Sequence, residues 1–193
     1  WGNILNSNTP VVIRACWFRD SGNVLGYSGG QTQHQNFEHT PREDIWFQGS
    51  LANSLAGYDL SEDHVDMHIA MNSNFNWYYG LDANPPEDEH DFATVMLHEI
   101  AHGLNVSGSM QYSGGNAQYG VFTSDHPNIY DTFIHDGSGN QLIDPSQYAN
   151  PSTELGDAVT SGDLWWHGPQ AVAANNDEMV KIYAPSQWSS GSS

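Results

Sequence analysis

Cations are scarce in this sequence: four Lys and Arg side chains stand against 23 Asp and Glu, a formal net charge of −19 over 193 residues. A surface of that sign repels polyanions, so neither nucleic acid nor an anionic membrane is expected as a partner. Cysteine is nearly missing too. Cys16 alone closes no internal disulfide, and its setting in VVIRACWF predicts a strand residue acting as a small buried hydrophobe. No apolar run approaches the roughly 18–20 residues that a membrane-crossing helix needs, and Trp1 opens neither a basic leader nor an initiator Met. These absences, with many Asn, Gly, Ser and aromatic residues, predict a processed, soluble, secreted protein. The length suffices to bury a core without staples, and a single domain over 1–193 is expected.

What is present is a set of short periodic segments. Val11 to Phe18 is rich in β-branched and aromatic residues and runs into Asp20-Ser21-Gly22-Asn23, a strand ending in a turn. Gly26 to Thr40 shows no period. Ile45 to Ala56 predicts a short helix closed by Gly57. In HVDMHIAM, Val65, Met67, Ile69 and Met71 share one face, with Asp66 and His68 on the other. This is a half-buried strand, antiparallel or at a sheet edge. After an aromatic loop and Pro85-Pro86, the acids Asp88, Glu89 and Asp91 precede a stripe of Phe92, Val95, Met96, Ile100 and Leu104, predicting a helix over Asp91 to Leu104. Beyond Asn105, Gly, Ser, Asn and Pro dominate, so the C-terminal half is expected to be loop-rich. The fold class that follows is α+β, a twisted mixed sheet against one principal helix.

That helix carries HEIAH. His98 and His102, four residues apart, lie one turn apart on one face, where both imidazoles reach one cation. Zinc takes nitrogen ligands at about 2.0–2.1 Å and keeps a position open for water, whose pKa it lowers towards about 7; Glu99 is then placed to act as general base in peptide hydrolysis. Random placement of the chain's His and Glu gives on the order of 0.02 such matches, so chance is a poor account of the motif. A third ligand has no diagnostic spacing. His126, His135, His167, Glu154 and Asp157 are the in-chain alternatives, and none is assigned. Asp136 to Asp144, DGSGNQLID, reads as a turn, with Ca2+ as a weaker alternative because the EF-hand pattern is incomplete. Trp77, Tyr78, Tyr79, Trp165 and Trp166 read as core before cleft.

The segment TVMLHEIAHGLN resembles the active-site helix of metzincins, in which HExxH continues to a turn glycine and then to a third His. Asn105 stands at the turn position, and among non-glycine residues Asn best tolerates a left-handed conformation. Gly108 stands where the third His would fall. HEIAHGL followed by Ser107-Gly108 is similar to leishmanolysin-type enzymes, which interrupt the motif with a long insertion. A group of little-characterised secreted bacterial zinc metallopeptidases resembles the chain further, in SLANSLAG, NSNFNWYYG, IYDTFIHDGSGN, HGPQAVAAN and YAPSQWSSGSS. The resemblance implies a zincin-like catalytic domain with Zn2+ on His98 and His102. It also implies a third ligand from a Ser-His-Leu-Asp-Glu stretch following the last of those segments. The sequence stops at Ser193, which leaves three sources: a longer polypeptide, a second polypeptide completing the site, or a residue inside the chain. The expected activity is that of a secreted zinc endopeptidase, with substrate added as a strand beside Asp66 to Met71. The alternative is a catalytically degenerate zincin scaffold serving as an extracellular structural or assembly subunit.

Overall fold

A computed structural model describes residues 7–121, 123–124 and 126–188; Trp1 and the last five residues of YAPSQWSSGSS lie outside the described residues. The architecture is mixed α and β, with small sheets and, among the described residues, four α-helices. It divides into two compact units, one from Trp1–Glu43 and Phe47–Val106, the other from Asp44–Trp46 and Ser107–Ser193.

In the first unit, β1 (Ile13–Phe18), β2 (Gly26–Gly30) and the later β5 (Met67–Asn72) form one mixed sheet in the order β1-β5-β2. β1 runs parallel to β5, pairing Ile13 with Met67 through Phe18 with Asn72, and β2 runs antiparallel, pairing Gly26 with Met71 through Gly30 with Met67. Between them in sequence come β3 (Gln33–His34), which pairs with β4 (Phe47–Gln48), and helix α1 (Gly49–Ala56). α1 starts later than periodicity predicts because Phe47 and Gln48 are held in that pairing; it ends, as predicted, at Gly57 with φ 82°. The short β6 (Trp77–Tyr78) and β7 (His90–Asp91) lead into α2 (Phe92–Gly103). Asp91 caps α2 by accepting the Thr94 N–H at 2.9 Å, whereas Asp88 and Glu89 fall before its first turn.

Period 2 in β5 is realised on one face. Met67, Ile69 and Met71, each no more than 2% exposed, meet Val95, Met96 and Ile100 of α2 and Leu104 at its C-cap, each buried side chain contributing about 1.5–3 kcal/mol. The other face departs from expectation: Asp66, Ala70 and Asn72 are buried as well, and β5 is the central strand, not an edge. Its polar residues serve the backbone. Asp66 accepts the Val12 N–H at 2.6 Å and the Asn53 side-chain amide at 2.8 Å; Asn72 donates to the carbonyls of Asp20 and Val24. Cys16 is a second correction. It is exposed, because β1 is a sheet edge and Cys16, aligned with Ala70, points away from the α2 side.

Gly103 sets how close helix and sheet come. A Cβ there would run into the Sδ and Cε of the fully buried Met67. Alanine's better helix propensity, about 1 kcal/mol, offsets only part of an overpacking cost of about 1–3 kcal/mol. Gly103→Ala therefore lowers the urea midpoint and Gly103→Val lowers it further; an Ala variant more stable than the parent would contradict this packing.

The second unit bears out a loop-rich half. β8 (Gln111–Ser113) and β9 (Asn116–Gln118) make a hairpin turning at Gly114 and Gly115, both at positive φ. A 3-10 turn over Tyr130–Phe133 precedes β10 (Ile134–Asp136), which forms an antiparallel sheet with β11 (Leu164–Trp166) and β12 (Val180–Ile182). α3 (Thr153–Val159), capped by Ser152, packs on β9, and α4 (Pro169–Ala174) starts on its proline. Ala117, Ile134, Leu142, Leu155, Val159 and Leu164 centre this unit's own core.

Candidate metal centre

α2 brings His98, Glu99 and His102 together as the spacing predicts. The two Nε2 atoms lie 2.9 Å apart, with the rings nearly perpendicular at 83°. His102 Nδ1 lies 2.8 Å from the Val106 carbonyl. A carbonyl only accepts, so Nδ1 carries a proton; in the neutral ring this leaves the lone pair on Nε2, which faces the Nε2 of His98. The position between the rings takes a proton or a cation. Two nitrogens bound tetrahedrally to one zinc at about 2.0–2.1 Å lie about 3.3–3.4 Å apart, so the rings, now 2.9 Å apart at Nε2, need to open by only about 0.5 Å to share the ion.

Glu99, one residue on, is turned about 100° around the helix from His98 and is buried, with 5% of its surface exposed. It faces β2: a Cβ built on Gly26 would lie 3.4 Å from Glu99 Oε1, 3.0 Å from Met71 Sδ and 3.1 Å from the Ala70 carbonyl. Two hydroxyls fasten the helix. Ser28 donates to the Glu99 carbonyl at 2.6 Å and Ser50, in the first turn of α1, donates to the Gly103 carbonyl at 2.5 Å. Asn105 adopts the predicted left-handed conformation, φ 77°, and its Oδ1 accepts the Gln48 N–H at 2.6 Å. Sequence reasoning missed Gly26, Ser28, Gln48 and Ser50. The available signal was the glycine density of GYSGG, which marks a strand that another backbone approaches closely.

The alternatives for a third ligand, His126, His135, His167, Glu154 and Asp157, all belong to the second unit. His126 Nδ1 meets the Asp44 carbonyl at 3.0 Å. His135 and His167 stack with centroids 3.9 Å apart, and burial, then the neighbouring His135, pushes the His167 imidazole down. Glu154 and Asp157 line an acidic recess with Asp136 and Asp163. Among the described residues, no three His, Cys, Asp or Glu side chains group as a metal site. Gly108, at the place of the third His in the compact motif, passes beside Asp131: a Cβ there would lie 2.8 Å from Asp131 Oδ1. Any side chain at 108 would crowd that carboxylate.

DGSGNQLID forms the predicted turn. Asp136 accepts the N–H groups of Ser138 and Asn140 at 2.8 Å each, the Asn140 side-chain amide at 2.9 Å and the Tyr148 hydroxyl at 2.6 Å. Burial alone would raise its carboxyl, but these donors, Tyr148 foremost, hold it at about 2, below the ordinary 3.8. Because the folded value lies below the ordinary one, the turn's contribution is full above about pH 4 and is lost as pH falls towards 2. Denaturation midpoints at about pH 5 and pH 2.5 should therefore differ less in Asp136→Asn than in the parent; an equal difference would contradict this assignment. Of the aromatic residues, Trp77 packs edge-on to Phe92 at 5.5 Å and Trp166 packs on Tyr130 at 4.5 Å, as core, whereas Tyr79 is 65% exposed.

The family described as SPBPB7E8-like matches residues 59–164, a span containing β5, α2 and the second unit from Ser107 through α3. No curated protein and no solved structure matches the chain.

Proposed function

We propose that this chain, which belongs to the SPBPB7E8-like family, is a metzincin-like, secreted zinc-dependent endopeptidase in which His98 and His102 hold the metal and Glu99 is the general base. The observation that carries this reading is the convergence of two imidazole Nε2 atoms, one with its tautomer set by a backbone carbonyl, beside a buried glutamate on the same helix. When bound, zinc supplies Lewis acidity towards a peptide carbonyl and lowers the pKa of an attacking water. The chain's own residues do the rest. Glu99 takes a proton at a carboxylate oxygen, and its burial against β2 limits the positions that carboxylate adopts. The expected strand for substrate addition moves from β5, which is central, to β2, the antiparallel edge whose Ser28 is bonded to the Glu99 backbone. An extended protein or peptide laid along β2 gains backbone hydrogen bonds that every sequence offers. The third ligand has the three sources named above: a longer polypeptide, a second polypeptide, or a residue inside the chain such as His126, His135 or His167.

Elemental analysis of the purified chain, with casein cleavage measured with and without a chelator, tests this directly. About one zinc per chain and cleavage that stops on chelation and returns on adding zinc are expected. A folded chain with neither zinc nor cleavage would favour a zincin scaffold with a structural or assembly role, or a chain lacking the segment that completes the site.

A further inference from the structure

We propose that Asn105 is a positioning residue for His102, setting which imidazole nitrogen is left to face a cation. The cation itself rests on the peptidase reading above; the orientation of the imidazole does not.

The geometry starts where α2 ends. The Asn105 N–H bonds the His102 carbonyl at 3.0 Å and the Val106 N–H bonds the Ala101 carbonyl at 2.9 Å, the paired hydrogen bonds of a helix end closed by a left-handed residue. Asn105, at φ 77°, is that residue. The reversal it makes returns Val106 over the last turn, so that its carbonyl, 2.8 Å away, accepts Nδ1–H of His102. With Nδ1 committed, the lone pair is on Nε2, 2.9 Å from the Nε2 of His98.

A glycine would satisfy the backbone here; asparagine adds an anchor. Asn105 is buried, 4% exposed, and its Oδ1 accepts the N–H of Gln48, the residue that opens α1. Ser50, two residues on, holds the Gly103 carbonyl. The start of α1 thus grips the end of α2 on both sides of Leu104, and the carbonyl facing His102 inherits that placement. A β-branched residue at 105 resists positive φ, and with it would go the turn and the Val106 carbonyl.

The test uses the full chain and two readouts. In metal-free, 15N-labelled protein, long-range proton–nitrogen spectra report the His102 tautomer, and competition with a chromophoric chelator reports zinc affinity. The parent should show Nδ1–H. Asn105→Val should show mixed tautomers and bind zinc about 10- to 100-fold more weakly, the usual effect of losing a partner behind a ligating histidine. Asn105→Gly, which keeps the turn and loses only the anchor, should keep the tautomer with a smaller loss of affinity. Should the Val variant fail to fold, Asn105→Ala carries the same expectation in milder form. A Val or Ala variant with the parent's tautomer and affinity would overturn the proposal. A parent that binds no zinc would overturn the peptidase reading instead, and the tautomer would still decide the role of Asn105.

Discussion

Glu99→Gln should leave about one zinc bound per chain and lower peptide hydrolysis by about 10²- to 10⁴-fold, the range that a positioned general base contributes. Gln preserves the volume and reach of the side chain, and Glu99 sits in a closely bounded place. Its Oε1 would lie 3.4 Å from a Cβ built on Gly26, and its backbone carbonyl is held by Ser28. The substitution therefore removes the ability to accept a proton while leaving α2 and its two histidines where they are. Turnover of a fluorogenic peptide, measured beside zinc content on the same preparation, separates the two effects. Unchanged turnover would remove Glu99 from the mechanism, and lost zinc would mean that the carboxylate serves the metal's retention.

The largest stability effect is expected far from the histidines in sequence, at Asp131 in the second unit. This carboxylate is wholly buried and accepts the N–H groups of Ser109 and Asn128 at 2.9 and 2.8 Å and the Ser109 hydroxyl at 2.5 Å. Burial pushes its carboxyl up, and the Ser109 and Asn128 donors pull against that. Asp131→Ala strands three donors, the buried Asn128 N–H and the part-buried Ser109 N–H and hydroxyl, a buried one costing about 1–3 kcal/mol when unpaired, while relief of the buried carboxylate offsets part. A net loss of about 3 kcal/mol follows, read as a lowered urea midpoint. Asp131→Asn, which retains one acceptor oxygen, should fall between. A loss within about 0.5 kcal/mol for Ala would place Asp131 among ordinary surface positions.

The histidine helix was legible because several independent signals coincide in it: an acidic N-cap at Asp91, an apolar stripe at helical period, and Asn105 at the one position needing a left-handed residue. β5 was legible as a strand but not as the centre of a sheet. Periodicity marks Asp66 and Asn72 as polar, and only the structure shows that they are buried against backbone groups of Val12, Asp20 and Val24. β2 left no period at all, since the positions on its Met67–Met71 side, Gly26, Ser28 and Gly30, are small or polar: Gly26 leaves room for Glu99 of α2 and Gly30 for the Gln48 side chain. Cys16 was misjudged for a related reason: residue type says that a thiol packs well, but strand order decides whether anything covers it. The residues that steady the site, Ser28 and Ser50, bond carbonyls 71 and 53 positions away, a separation at which local pattern carries no information.

Those two serines have a dynamic consequence. They hold carbonyls one turn apart on α2, those of Glu99 and Gly103, from two different elements, while Met67 packs against Gly103 itself. A segment tied at such spacing cannot fray by itself, so its amide protons exchange with solvent only when the surrounding sheet opens with it. On the proposed reading, the helix backbone that carries both imidazoles is thus set before the metal binds, which leaves less ordering entropy to lose on binding. This is the opposite of a zinc finger, whose chain gains its shape from the metal.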